Sequence, residues 1–421
     1  MEANGRLTGA QKGLRRMNGT AEHNFLSTAV IDQVKRRPRL LYMVWHDIKN
    51  AFGSVPHELI WRVLLATGAT SSFVSRLKNI YEGAVFTVAN TADGATDPIQ
   101  LRMGVFHGCS LSPYLFVIGI MPLVRALQAL APELGVPVTS SRNVSVIAYA
   151  DDLKTFSLSS QGIKKAHSVV VKFLQWSTLQ SNARKCASLS VKTDSHGQLR
   201  GDSVELTLDG DVIPSLSIAE GYTYLGIGDG FNHAQHRGSM GPALQEMKRM
   251  MSAIFRSSLA PWQKMKALKT YVYPKADYLL RHVRAYQTQL DSVDSALARG
   301  LRHLLKLNQS STTAMFHAPV AAGGLGFTPL VDLRAVLQIS HACQMLHSSD
   351  LLIREVAQEQ VWQAIRIDIY HGPRPLAWTY TYGYPTFPEW RSRFFTICPP
   401  EAQVWRYWFV VGGRKEPSGC L

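Results

Sequence analysis

One short stretch, Val144 to Leu158, limits what this chain can fold into more than any other. Val144, Val146 and Ala148 alternate with their neighbours, as one buried face of a strand requires. Leu153 to Leu158 returns as a second strand, so Asp151 and Asp152 fall together in a hairpin turn. Leu40 to Trp45 is a third apolar run of strand length, and it ends at Asp47. Pro56 and Glu58 then open a helix with Leu59, Ile60, Val63 and Leu64 on one face and Gly68 as its stop.

The remaining pattern is mixed. Helices are expected over Asn24–Val34, Ser110–Leu130 and Gly162–Gln180. Ala84–Asn90 and Ile99–Val105 flank an Ala-Asp-Gly turn and read as a hairpin; Cys186–Val191 and Val204–Leu208 read as short strands. Interleaving of this kind predicts an α+β fold. From about Met240 to Leu307 the chain turns helical and rich in Lys, Arg and Met, and a further helix is expected over Val331–Leu346. In the tail, Trp362, Trp378, Trp390, Trp405 and Trp408 recur with Pro, which reads as a small aromatic-packed appendage.

A formal net charge of +15 and a pI near 9.6 make a polyanion the first partner to consider, because released counterions favour a basic surface on phosphates. With 46% hydrophobic and 18% charged residues the chain is composed like a globular protein, which argues against disorder. The longest apolar run, Leu115–Val124, is interrupted by Gly119 and Pro122 and is short of the roughly 20 residues of a membrane span, so no membrane partner is expected. Met1 to Gly13 lacks the apolar core of a secretory signal, so export is not expected. Cys109, Cys186, Cys343, Cys398 and Cys420 are scattered without zinc-ligand spacing, which suits a reduced compartment, nuclear or cytoplasmic. The run Lys35, Arg36, Arg37, Pro38, Arg39 is either an import signal or a solvated loop.

Asp47 and Asp151 each follow a strand whose burial would fix the carboxylate, the arrangement a metal-assisted phosphoryl transfer needs. Spacing alone leaves a second reading open, in which Asp47 caps the following helix and Asp151 and Asp152 form a turn.

The run Asp47, Ile48, Lys49, Asn50, Ala51, Phe52, with Val55, Pro56, His57, and the run Tyr149, Ala150, Asp151, Asp152 resemble the central motifs of reverse transcriptases. Gly108–Phe116 is similar to a third palm motif, Asn182–Cys186 to the next, and Tyr224, Leu225, Gly226 to the primer-grip hairpin. Asn18–Asn24 and Gly323–Phe327 resemble the site-specific non-LTR retrotransposon class that carries a restriction-like endonuclease.

This resemblance implies a right-hand polymerase palm with partial fingers and a helical thumb. The expected divisions are 1–39 for partial fingers, 40–235 for the palm with finger elements, 236–310 for the thumb and 311–421 for a C-terminal extension. It implies an RNA-directed DNA polymerase with two Mg2+ ions, or Mn2+, and with RNA template, DNA primer, RNA–DNA hybrid and deoxynucleoside triphosphates as partners. Asp47 and Asp151 would bind both ions with Asp152 beside them, and Lys185 would protonate the leaving pyrophosphate. Phe52 would act as a gate against the ribose 2′-hydroxyl, with His107 and Gly108 also at the nucleotide. Tyr149 would lie beneath the primer terminus, while Tyr224, Leu225 and Gly226 would hold its backbone. Lys248, Arg249, Lys264, Lys266 and Lys269 would follow phosphates or form a solvated face.

Gly53 stands where the family usually has an acid, and His107 where it usually has glutamine. The chain begins where basic finger residues would already have appeared, so an N-terminally truncated element copy is expected, with Lys12, Arg15 and Arg16 as the available substitutes. The alternative function is a catalytically inactive nucleic-acid-binding remnant.

Overall fold

The computed structural model describes residues 5–370, apart from 16, 38, 90–93, 232 and 284. Arg16, Cys398, Cys420 and the tryptophans after Trp362 therefore lie outside the described residues. Two compact units divide the chain, Met1–Gln235 and His236–Leu421.

The first unit is built on a six-stranded sheet. Its centre is Leu41–His46, buried at every residue and antiparallel to Asp152–Ser157 on one side and Ala187–Thr193 on the other. A central strand buried on both faces needs a continuous apolar run, which is what Leu41 to Trp45 provides. Val146–Tyr149 pairs beyond Asp152–Ser157, while Leu199–Asp202 and Ser215–Leu216 extend the other edge. Tyr42, Val44, Val146, Ala148 and Leu153 enter a core completed by the helices Ser112–Ala129 and Ser160–Ser177. Trp45 and its cross-strand partner Lys154 belong to the opposite face, where the ammonium lies 4.7 Å from the indole centroid.

Expected elements differ mainly at their ends. The first helix runs Gly19–Arg36, the helix after Pro56 runs His57–Ala66, and Gly68 follows it at a φ of 84°. Pairing in the expected hairpin shrinks to Val85–Phe86 against Ile99–Gln100. Only Thr207–Leu208 of the expected Val204–Leu208 strand is regular, because Val204 and Leu206 are buried as loop residues in the core. Ser112–Ala129 is long and apolar enough to cross a membrane by length and composition, but Leu115, Phe116, Leu123 and Val124 are packed inside the unit.

The second unit is helical: His233–Arg256, Pro261–Ala267, Pro274–His282, Gln287–Leu304 and Leu330–Leu346, with a π-helical turn at Leu268–Val272. Asp294 accepts a 2.9 Å bond from the Leu330 amide and so satisfies one free donor at that helix start. A last helix, Leu351–Tyr370, was not expected from the sequence.

The basic stripe of this unit is partly internal. Lys264 is buried and donates to the Phe255 carbonyl, and Lys269 donates to the Leu325 carbonyl with its ammonium 4.9 Å from the Phe327 centroid. These two cations are committed to main-chain acceptors, so they do not belong with the phosphate-following set. Arg249 pairs with Glu246, Lys248 donates to Ser292, and Lys266 is exposed.

Candidate active site

Two adjacent strand ends bring the three acids together. The register His46↔Leu153, carried one residue further, sets Asp47 beside Asp152. Asp151 occupies the turn between Tyr149 and Asp152, which are register partners. That turn is tight enough to put Ala150 at a φ of 54°, a conformation few side chains other than glycine adopt.

The main chain of Asp47 is held from a distant segment. Its carbonyl accepts from the Ser181 hydroxyl and from the Asn182 amide at 3.3 Å, and its own amide donates to the Cys186 sulfur at 3.4 Å. A left-handed Asn50 then turns the chain into the single helical turn Ala51–Ser54, which carries Phe52. A Cβ at Gly53 would stand 2.5 Å from Asn50 Nδ2, so the acid usual at this position has no room beside Asn50 as it lies here.

The carboxylates crowd one another. Burial raises the Asp151 carboxyl, and the Asp47 charge adds to the shift. Burial, then the Asp151 and Asp47 charges, pushes Asp152 up to about 6. Among the described residues no lysine or arginine forms an ion pair with any of the three. Tyr222 feels the same field: burial first, then Asp47, Cys186 and Asp152, lifts its phenol to about 12.

Residues 3–228, more than half of the chain, match the family model for reverse transcriptase (RNA-dependent DNA polymerase). The chain belongs to this family. It is similar to the retrovirus-related Pol polyprotein from type-1 retrotransposable element R2 of Popillia japonica, 26% identical over 330 residues, which are 78% of this chain and 45% of that protein. It is also similar to the polyprotein from type-2 retrotransposable element R2DM of Drosophila melanogaster, 27% identical over 337 residues, 78% of this chain and 30% of that protein. The chain thus spans less than half the length of these relatives. Among solved structures, apo telomerase from Candida tropicalis is similar at a TM-score of 0.40 and 11% identity, covering 85% of this chain and 59% of that one.

Reverse transcriptases depend in general on divalent metal ions, and the donor set here fits one. It offers hard oxygen ligands that repel one another and, among the described residues, form no ion pair with a lysine or arginine. Among the described residues no three His, Cys, Asp or Glu side chains close a ligand shell.

The other expected site residues fall into three groups. Phe52 stacks on Phe116 at 4.5 Å and lies 6.3 Å from the exposed His107, and Gly108 follows at a φ of 83°. Leu225 and Gly226 form the turn of the hairpin Gly221–Tyr224 and Ile227–Gly230, both at positive φ. Tyr224 is buried, 5.2 Å from the His23 ring, so it supports this hairpin from within. Tyr222, two residues earlier, stacks on Trp45 at 5.3 Å and donates to the Lys185 carbonyl at 2.5 Å. The Lys185 side chain itself is exposed, and Tyr149 is half-buried with its ring edge-on to His23.

Lys12 does not serve as a finger cation. It is buried in an ion pair with Glu22 at 2.9 Å, and Arg15 donates to the carbonyls of Thr8 and Gln11. Sequence reading missed Tyr222, Ser181 and the Lys154–Asp229 pair, whose ammonium and carboxylate meet at 2.5 Å. Only Tyr222 had a signal, since it shares an aromatic doublet with Tyr224.

Proposed function

We propose that this chain is the polymerase core of a non-LTR retrotransposon protein, an RNA-directed DNA polymerase that extends a DNA primer along an RNA template with deoxynucleoside triphosphates. The observation that carries the reading is the meeting of Asp47, Asp151 and Asp152 at two neighbouring strand ends inside the family match. In this reading 40–235 is the palm with finger elements, 236–310 the thumb and 311–421 an extension.

Asp47 and Asp151 hold two Mg2+ or Mn2+ ions, with Asp152 alongside. The ions, when bound, ease deprotonation of the primer 3′-hydroxyl and offset charge on the triphosphate. Asp47 presents its carboxylate from a backbone that Ser181, Asn182 and Cys186 fix, so little reorganisation precedes the reaction. Phe52, braced from behind by Phe116, shuts out a ribose 2′-hydroxyl. Lys185, whose side chain is exposed, supplies the proton for pyrophosphate. The hairpin that carries Leu225 and Gly226 supports the primer strand.

Primer extension on an RNA template with Mg2+ or Mn2+ tests this. The Asp151→Asn variant is expected to lose more than about 1,000-fold in rate while keeping hybrid affinity, since one ligand of both ions is gone. No extension by the parent, with salt-sensitive hybrid binding retained, selects the inactive remnant instead.

A further inference from the structure

The turn that carries Asp151 is gripped at Ala150 by a glutamine 139 residues earlier in the sequence. Residues Ala10 to Gly13 run beside the strand Val146–Tyr149 as a short parallel strap. The Lys12 amide donates to the Ala148 carbonyl at 2.7 Å and the Ala148 amide to the Ala10 carbonyl at 2.9 Å. From this strap Gln11, only 1% exposed, turns both ends of its amide onto Ala150: Nε2 donates to the Ala150 carbonyl at 3.1 Å, and Oε1 accepts from the Ala150 amide at 2.8 Å. Oε1 also accepts from the Gly13 amide at 2.9 Å, so three bonds fix the side chain.

Neighbouring residues hold the strap in place. A Cβ at Gly13 would fall 2.2 Å from the Ala150 nitrogen, so the strap runs this close only because residue 13 is glycine. A Cβ at Gly19 would fall 2.1 Å from the Lys12 carbonyl oxygen, and the Lys12 side chain is pinned to Glu22 of the following helix. Ala150 sits in a left-handed conformation that L-residues rarely adopt and therefore needs outside support. Both of its main-chain groups are satisfied by Gln11, and the next residue is Asp151.

We infer that Gln11 is a positioning residue for the carboxylates: its amide clamps the backbone of Ala150 and thereby sets the direction in which Asp151 and Asp152 leave the turn. The inference rests on the reading that these carboxylates hold the metal ions. Gln11 touches neither substrate nor ion and acts only through the turn.

The isosteric Gln11→Met variant keeps the packing and removes the clamp, and Gln11→Ala removes both. The control is Gln33→Ala, which deletes a comparable side-chain bond to the Val138 carbonyl. Loss of an outer-shell support usually costs about 10- to 100-fold in metal affinity or activity. Gln11→Met is expected to lose that much in kcat, with KM for primer–template within about twofold. Mn2+ binding to the full chain without nucleic acid, followed by the ion's paramagnetic resonance, should weaken by the same factor. Hydrogen exchange at the Ala150 amide should quicken by about tenfold or more, with the rest of the sheet unchanged. Parental kcat, Mn2+ affinity and Ala150 exchange in Gln11→Met overturn the inference while leaving the polymerase reading intact. Parent protein that binds Mn2+ but extends no primer overturns the polymerase reading instead, and Gln11 is then decided by Mn2+ affinity and Ala150 exchange alone. Global loss of folding in Gln11→Ala but parental behaviour in Gln11→Met makes Gln11 a packing residue and also overturns the inference.

Discussion

Replacing Lys154 with methionine should destabilise the first unit severely, and the structure sets the scale. The ammonium lies 2.5 Å from Asp229 Oδ2 and 2.7 Å from the Ser27 hydroxyl, and both charged side chains are almost wholly buried. Trp45 Nε1 donates to the same Oδ2 at 3.1 Å. Methionine fills the stem's volume but leaves Asp229 buried with only neutral donors. Breaking a buried pair in this way costs about 3–5 kcal/mol, because the surviving charge loses its partner rather than because the pair was strongly favourable. For a unit of this size that is a fall in melting temperature of roughly 6–20 °C, at about 2–4 °C per kcal/mol. Adding Asp229→Leu removes the orphaned charge, so the double variant should recover part of the loss, about 2 kcal/mol. It retains a deficit of about 1–3 kcal/mol for the Trp45 N–H left without an acceptor. Calorimetric melting of parent, both single variants and the double variant measures the cycle. A drop under about 3 °C for Lys154→Met, or a double variant no better than the worse single, would refute the reasoning.

Two further outcomes follow from the same geometry. Phe52→Val should lower discrimination against ribonucleotides by roughly 100-fold in competitive incorporation, the scale of a reshaped apolar pocket, because the Phe116 stack at 4.5 Å holds the parent ring in place. Burial, aided by nearby Lys154 for His23 and by His167 for His46, brings both histidines down to about 3, against about 6.5 when unfolded. A depressed histidine leaves the folded state unable to take a proton that the unfolded state binds. Stability from these two is therefore whole above pH 6.5 and falls by about 1.4 kcal/mol per histidine per pH unit between 6 and 4. Urea unfolding free energies across that range should show the decline, and His46→Gln should lessen the slope by about 1.4 kcal/mol per pH unit.

Long, periodic segments of this fold were legible because burial imposes a repeat. The run Leu40–Trp45, the alternation of Val146 and Ala148, and the apolar face of the helix after Pro56 each announce their element, and the elements formed; Val144 instead pairs with Val136 in a separate two-stranded ladder. The Tyr-Ala-Asp-Asp hairpin was legible as a turn with two acids, but spacing left a turn-former reading open, and it was the resemblance to reverse transcriptases that marked it as the candidate site. Partner choice among polar side chains imposes no repeat. Lys12 read as a substitute for the basic finger residues but lies in the interior against Glu22, and Lys264 and Lys269 read as following phosphates or forming a solvated face but bond to carbonyls. Lys154, between Leu153 and Thr155 in the most legible hairpin, gave no sign that its partner was Asp229. The helix Leu351–Tyr370 escaped notice because its apolar residues form no clean stripe.

These long-range polar contacts follow from what the acids must do. A carboxylate tied to a lysine or arginine has little left for a metal ion, so the site cannot be made rigid through the carboxylates themselves. Rigidity is supplied one step back, through the backbone of Asp47 by the Ser181–Cys186 segment and through Ala150 by Gln11. The Lys154–Asp229 pair does the same for the hairpin beside Trp45. The acids are thereby left to repel one another, and Asp152 is pushed up to about 6, an energetic conflict that folding alone does not relieve. A protein whose sequence is otherwise consistent with its fold tolerates such a conflict where function needs it. The conflict and the supports around it coincide at two strand ends, so in the proposed reading a divalent cation bound there would relieve the repulsion while the supports behind Asp47 and Ala150 stay in place.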